Sequence, residues 1–172
     1  MDRFIHLFVW LSRIRHCRGF GIQSPTDYWL VRYVINEHWP YYQYEALKEG
    51  DDWLTRKLGR LYFRLVNWRQ PSVIESDGYR KYLQAGCKRA HFGASTELIR
   101  LTLEGNYRGR LLSIYNKVGD GAVLIVEGIR HDRDFWRAIQ DDERTGITFD
   151  LYYCGLVVFD SKRHKQNYII NF

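Results

Sequence analysis

Residues 71–87 read PSVIESDGYRKYLQAGC, and this stretch sets the architecture of the chain. Val73 and Ile74 form a short apolar run that ends in an acid, Glu75. Ser76, Asp77 and Gly78 then make a turn, and the segment from Tyr79 has the composition of a helix. Strand, turn and helix in that order open a nucleotide-binding α/β unit, in which ligands sit beyond the carboxyl ends of the strands. The turn has one glycine and lacks the glycine cluster that lets a backbone approach a cofactor closely.

Upstream of Pro71 the rhythm is helical. Phe4, Leu7, Phe8, Leu11 and Ile14 recur at helical spacing, with Arg3, Arg13 and Arg15 available to the polar side. This predicts an amphipathic helix over residues 1–15 whose apolar stripe packs against the domain body, attachment to a membrane surface being the alternative. The segment CRGFGIQSP, residues 17–25, ends that helix, and Ser24 before Pro25 starts another. Serine caps an exposed N–H, and proline is tolerated at the first helical position. Leu30, Val31, Val34 and Ile35 carry this second helix to about Glu37, and Pro40 stops it. Leu54, Leu58, Leu61, Phe63, Leu65 and Val66 predict a third helix despite Gly59 inside it. Residues 1–70 thus read as a helical lead-in, and residues 71–172 as the α/β core of one domain.

Downstream, strands are expected in SVIES, LIRLTLEG, AVLIVEG, ITFDLYYCGLVVFD and NYIINF, with helices in YRKYLQAGC, RGRLLSIYNKV and DRDFWRAIQDDER between some of them. Their alternation predicts an α/β sheet with helices on both faces. Val123 to Val126 is the continuous apolar run of a central strand. The last two strand segments, joined by a polar turn, predict an antiparallel C-terminal edge.

With 45% hydrophobic and 27% charged residues, the composition of the 172-residue chain excludes a wholly disordered one. Its net charge of +6 is concentrated between Ser76 and Lys117. There Arg80, Lys81, Lys88, Arg89, Arg100, Arg108, Arg110 and Lys117 face only Asp77, Glu97 and Glu104. Such a surface suits nucleic acid, an anionic cofactor or an anionic membrane, and equally a solvated face with no partner. The three cysteines, Cys17, Cys87 and Cys154, are far apart and form no zinc or redox spacing, which points to a reduced, cytoplasmic protein. The N-terminal apolar run is too short to span a bilayer, and no signal-peptide cleavage site follows it.

Glu75, Glu104 and Glu127 each follow an apolar strand segment. In an open α/β sheet the carboxyl ends of strands line one crevice, so the three acids are candidates for a common site that binds hydroxyls, a cation or a metal. Helix capping and salt bridging are the other roles open to them. His131 follows the third of these strands and is a candidate acid or base, while Asp132 suits a helix cap as well as catalysis. His16, His91 and His164 lack metal-ligand spacing, and no side chain stands out as a nucleophile.

Taken in order, RHCRGFGIQSPTDYWLVRYVINE, PYYQYEALK, RLYFRLVNWRQPSVIES, LEGNYRGRL, AVLIVEGIRHDRDFW and DLYYCGLVVFDSKRHKQNYIINF resemble class I S-adenosylmethionine-dependent methyltransferase-like proteins common in Bacteroidetes. The resemblance spans nearly the whole chain and is weak between about Gly78 and Leu98. The family's first segment resembles R-G-H-G-x-H-S-P-F. Here Gly19, Gly21, Ser24 and Pro25 remain, Phe20 and Gln23 stand at the histidine positions, and Thr26 replaces the aromatic residue. The family's first strand ends E-x-G; Glu75 matches the acid, Asp77 stands at the glycine position, and Gly78 comes one place late. Glu104, Gly105 and Asn106 match an acid-Gly-Asn-His motif, with Tyr107 in place of histidine. Glu127 matches the first of two paired acids, Gly128 replaces the second, and His131 matches the histidine that follows.

The resemblance implies a truncated Rossmann-like methyltransferase sheet and S-adenosylmethionine as cofactor. Glu75, Ser76, Asp77 and Gly78 would hold it, and Glu104, Asn106, Glu127 and His131 would line the cavity, with no metal. An Asp at the position of the loop glycine adds bulk and negative charge beside a methionine carboxylate. Only 28 residues separate Glu75 from Glu104, too few for the family's second strand with its ribose-binding acid and a third strand. RAHFGAS is then a remnant of strand two, with Glu97 as a substitute for the ribose acid. The expected function is a methyltransferase-like protein with a degenerate active site. The alternatives are a non-catalytic binding or assembly protein on that fold, and a nucleic-acid-binding protein using the basic segment 80–117. The trimmed sheet edge would be covered by the N-terminal segment or by a homodimer.

Overall fold

The computed structural model describes residues 3–47 and 49–172, with side chains from His6 onward. Helix α1 (Arg3–Ser12) is followed by a short 3-10 turn at Ile14–His16. Helix α2 (Pro25–Leu30) begins as expected: the Ser24 hydroxyl accepts from Asp27 N at 3.3 Å, and Pro25 occupies the first turn. It runs on as a π-helical turn, Val31–Ile35, closed by Asn36 N donating to the Val31 carbonyl at 2.8 Å. Helices α3 (Gln43–Leu47) and α4 (Trp53–Arg69) complete the lead-in. The Asp52 carboxylate caps α4 by accepting from Thr55 N at 2.7 Å, and Gln70 ends the helix in the left-handed region at φ 48°.

The remaining elements are β1 (Val73–Glu75), α5 (Arg80–Gly86), β2 (His91–Phe92), β3 (Leu98–Thr102), α6 (Tyr107–Tyr115), β4 (Val123–Glu127), α7 (Arg133–Asp141), β5 (Ile147–Asp150), β6 (Cys154–Val158) and β7 (Gln166–Ile169). The strands form one seven-stranded sheet in the order β2-β1-β3-β4-β6-β5-β7. β2, β1, β3 and β4 run parallel; β6 is antiparallel to both β4 and β5; β5 and β7 are parallel. The mixed α/β sheet with flanking helices matches the expected class. RAHFGAS does contribute a strand, the two-residue β2 at one edge.

Alternation along the strands sorts side chains to two faces. Ile74, Leu98, Ile125, Phe149 and Leu156 pack against the α2 segment and α4 through Val31, Ile35, Leu61 and Leu65. On the other face Ile99, Leu101, Leu124, Val126 and Val157 pack against α6 and α7, with Trp136 and Ile139 fully enclosed. Gly59 sits in the middle of α4 because the Tyr82 ring of α5 lies against it. A methyl group there would meet the ring at 2.5 Å.

Four expectations need correction. The segment ITFDLYYCGLVVFD, expected as one strand, turns back on itself after Asp150 and forms the antiparallel pair β5 and β6. The C-terminal edge is not antiparallel: the reversed strand β6 is inserted between β4 and β5, and the edge strand β7 pairs in parallel with β5. The stripe of α1 does not pack on the body, since Leu7, Phe8, Leu11 and Ile14 are exposed, Phe8 at 70%. The Phe4 and Arg3 side chains lie outside the described residues. What docks α1 is its polar side. His6 Nδ1 lies 2.5 Å from the Tyr153 hydroxyl; Arg13, two turns on, pairs with Asp150 at 2.6 Å and donates to the Asp150 carbonyl at 2.9 Å. These contacts, half-buried at His6 and buried at Arg13, fix the helix rotation and leave the apolar stripe outward. Nor does the N-terminal segment cover the trimmed edge. Cys17 bridges to Asn171 beyond β7, at the side of the sheet opposite β2.

Candidate functional site

The direction of winding reverses at β1, whose neighbours are β2 and β3, and in open α/β sheets ligands lie beyond the strand ends at such a point. The acids of that region do not converge. In the ladder Glu75 lies opposite Ile99 and shares its face, toward α6. Glu127 lies opposite Thr102 on the other face, toward α4. Glu104 falls beyond the end of β3 and is exposed. Strand parity, which the motif spacing does not reveal, separates the two buried carboxylates.

Glu75 is held by α6 and by the segment after β2. Lys117 Nζ donates to it at 2.6 Å, Arg110 at 3.3 Å and Ser95 N at 3.0 Å. Burial raises its pKa, but these donors outweigh burial, Lys117 foremost, and hold the carboxyl below the usual range. The turn after it is closed locally: the Ser76 hydroxyl donates to the Gly78 carbonyl at 2.8 Å and accepts from Gly78 N at 3.3 Å.

On the opposite face the crevice is filled by a side chain that motif reading counted only as part of a basic surface. Arg100, the third residue of β3, has a side chain only 9% exposed. Its Nε donates to Glu127 Oε2 at 2.8 Å, and its Nη1 pairs with Asp77. Burial alone would lower its pKa, but the bond to Glu127 and the surrounding negative charge raise it, so it is always a cation. The buried Tyr62 of α4 donates to Glu127 Oε2 at 2.8 Å, and Tyr79 to Oε1 at 3.5 Å. The Tyr79 ring packs edge-on to Tyr62 at 4.8 Å between centroids and lies under the Arg100 guanidinium at 5.0 Å. Tyr79 adopts φ 57°, a left-handed conformation costly for a bulky residue and held here by these contacts. A methyl group added at Gly78 would meet Arg100 Nη1 at 3.2 Å, so the guanidinium occupies the space over the loop. The one sequence signal for it was a charge inside the apolar run LIRLT.

The other candidates serve the backbone or the surface. Asn106 caps α6 by accepting from Gly109 N at 3.0 Å, and Asp132 caps α7 by accepting from Phe135 N at 2.9 Å. His131 is exposed and accepts from Arg130 Nε at 3.1 Å. Glu97 lies at the amino end of the strands, where it accepts from Ser72 N at 2.9 Å, so it cannot reach a ribose at the carboxyl end. Of the basic segment, Lys81, Arg100, Arg108, Arg110 and Lys117 are in ion pairs with acids, which removes much of its free charge. Among the described residues no group of three His, Cys, Asp or Glu side chains is placed to hold a metal, and no helix is long and apolar enough to cross a membrane. The three cysteines are free thiols.

Comparisons of the chain with protein-family models, with curated proteins and with solved structures found no match.

Proposed function

We propose that this chain is a methyltransferase-like protein that has lost its cofactor and works as a non-catalytic binding or assembly protein. The methyltransferase-like part rests on the sequence resemblance together with the sheet. A parallel run winds outward from β1, a single reversed strand is inserted near one end, and the opposite edge is cut short at a two-residue β2.

One observation carries the loss of the cofactor. The crevice beyond β1 and β3, where S-adenosylmethionine would lie, is filled by Arg100 bound to Asp77 and Glu127. The residues there do not fit the cofactor. Asp77 puts a carboxylate where the methionine carboxylate would be, Glu127 is already bound by three donors, and Gly93 and Ala94 follow β2 where a ribose-binding acid would stand. The outward apolar stripe of α1 supports the assembly half of the reading, with a second copy of this chain as the partner.

Calorimetric titration of folded protein with S-adenosylhomocysteine tests the proposal. No heat of binding at millimolar ligand is expected, and saturable binding by the wild-type chain overturns it. Light scattering tests the assembly half: a dimer that Phe8→Asp converts to monomer is expected, and a wild-type monomer at all concentrations overturns it.

A further inference from the structure

Away from the strand ends, a cavity of about 610 Å³ opens between the π-helical turn, α3 and α4. That volume is within the range of small-molecule sites. One wall is a face of α4 that places Arg56, Lys57, Arg60 and Arg64 toward the cavity, at the three- and four-residue spacing that aligns side chains along a helix. The mouth carries large exposed rings, with Trp39 at 72%, Tyr42 at 85% and Trp53 at 42% exposure.

The cations in this wall are incompletely compensated. Arg64 is buried, and all its partners are neutral: Nε donates to the Val34 carbonyl at 2.6 Å, Nη2 to the Ile35 carbonyl at 2.7 Å and Nη1 to the Tyr44 hydroxyl at 3.5 Å. The Lys57 ammonium lies 4.2 Å from the Phe172 ring centroid and 5.2 Å from that of Trp53. The Arg60 guanidinium lies 4.9 Å over Tyr44. Among the described residues none of these three makes an ion pair. The lining acids are Glu37, which accepts from the Tyr41 hydroxyl at 2.9 Å, and Glu45, which is partnered. Buried charges are ordinarily paired, because an unpaired one loses its hydration without return.

The local field agrees with the geometry. Burial, reinforced by Arg64, pushes Lys57 down to about 8. At His38, on the same rim, burial comes first and then Arg64, Arg18, Lys57 and Arg32, and all of them lower its pKa.

We propose that this cavity binds a small anion of the nucleoside monophosphate class, its phosphate neutralising Lys57, Arg60 and Arg64 and its planar base resting on the aromatic mouth. Rings at the mouth supply stacking that is tolerant of the base, and the cations supply the anion selectivity. This goes beyond the proposed loss of the methyl-donor site and does not depend on it, since the two sites share no lining residue.

The full chain is titrated with AMP by tryptophan fluorescence and calorimetry, alongside inorganic phosphate and adenosine. Saturable AMP binding is expected, at least tenfold tighter than either half alone. Lys57→Met, which keeps the apolar stem, and Arg60→Gln are each expected to weaken AMP binding at least tenfold, with the circular dichroism spectrum unchanged. Arg137→Gln, on the exposed side of α7, leaves binding as it was. No saturation at millimolar AMP, equal affinity for AMP and phosphate, or unchanged binding in Lys57→Met overturns the proposal.

Discussion

Arg100 of β3 donates through Nε to Glu127 of β4 at 2.8 Å, diagonally across two adjacent parallel strands, in the space where a ligand of an open α/β sheet would lie. The pair is mostly enclosed, at 9% and 22% side-chain exposure, and Asp77, at 55%, closes it toward solvent. A cation held this way ties the loop after β1 to the end of β4.

Removing one member of a largely buried pair strands the other. Arg100→Met is expected to destabilise the fold by about 3 kcal/mol in urea unfolding, because Glu127 keeps only its tyrosine donors. Adding Glu127→Gln to that variant should recover part of the loss. Additive losses in the double mutant would show that the two side chains are not coupled.

Asp77→Gly restores the loop glycine of the resembling family but leaves Arg100 in place. S-adenosylhomocysteine binding is therefore expected to stay undetectable in Asp77→Gly by calorimetry. Recovery of binding in that single variant would show that the loop alone had closed the site.

Glu75 is expected to contribute to acid stability. Its folded pKa is lowered, so the stability it contributes is fully present above the unfolded carboxylate range and is lost as pH falls through the lowered folded value. Glu75→Gln should cost about 1–2 kcal/mol at pH 7. It should also flatten the fall in urea midpoint on acidification, and an unchanged acid limb would exclude Glu75 as its source.

Lys57 acts at the other end of the pH range. Its folded pKa is about 8 against an ordinary 10.5, so the fold carries the cost of a buried ammonium at neutral pH. That cost is relieved between those two values as the folded state gives up its proton first. Lys57→Met should therefore stabilise the protein at pH 7 by up to about 3 kcal/mol, the upper limit set by the shift. The stability difference between variant and wild type should shrink as pH rises toward 10. A difference independent of pH would exclude titration of Lys57.

Gly59→Ala opposes two principles. Alanine is the better helix former by about 1 kcal/mol. Its methyl group, however, would meet the Tyr82 ring at 2.5 Å. Net destabilisation of about 1–2 kcal/mol by thermal or urea unfolding is expected, because overpacking between α4 and α5 outweighs propensity. A stabilised variant would show that the ring moves freely.

The local elements were legible because their signals are local. Ser24-Pro25 announced the α2 start, the apolar stripe of 54–66 announced α4, and VIES, LIRLT and VLIVE announced β1, β3 and β4. Asp132 was visible as a helix cap and proved to be one, whereas Asn106, expected to line a cavity, caps α6. The 28 residues between Glu75 and Glu104 leave little room for further strands, and β2 within them is two residues long.

By itself, then, the sequence determined most of the helices, the strands β1, β3 and β4 and the place of the turn at Ser76–Gly78, through hydrophobic period and capping chemistry acting over a few residues, but neither α3 nor the division of ITFDLYYCGLVVFD into β5 and β6. Tertiary structure alone decided which carboxylates meet. Register and parity sent Glu75 to α6 and Glu127 to Arg100, and a partner two dozen or more residues away leaves no mark in a motif. It also decided that α1 docks by His6 and Arg13 with its apolar stripe outward, because a half-buried and a buried polar anchor fix a helix rotation that amphipathic spacing leaves open.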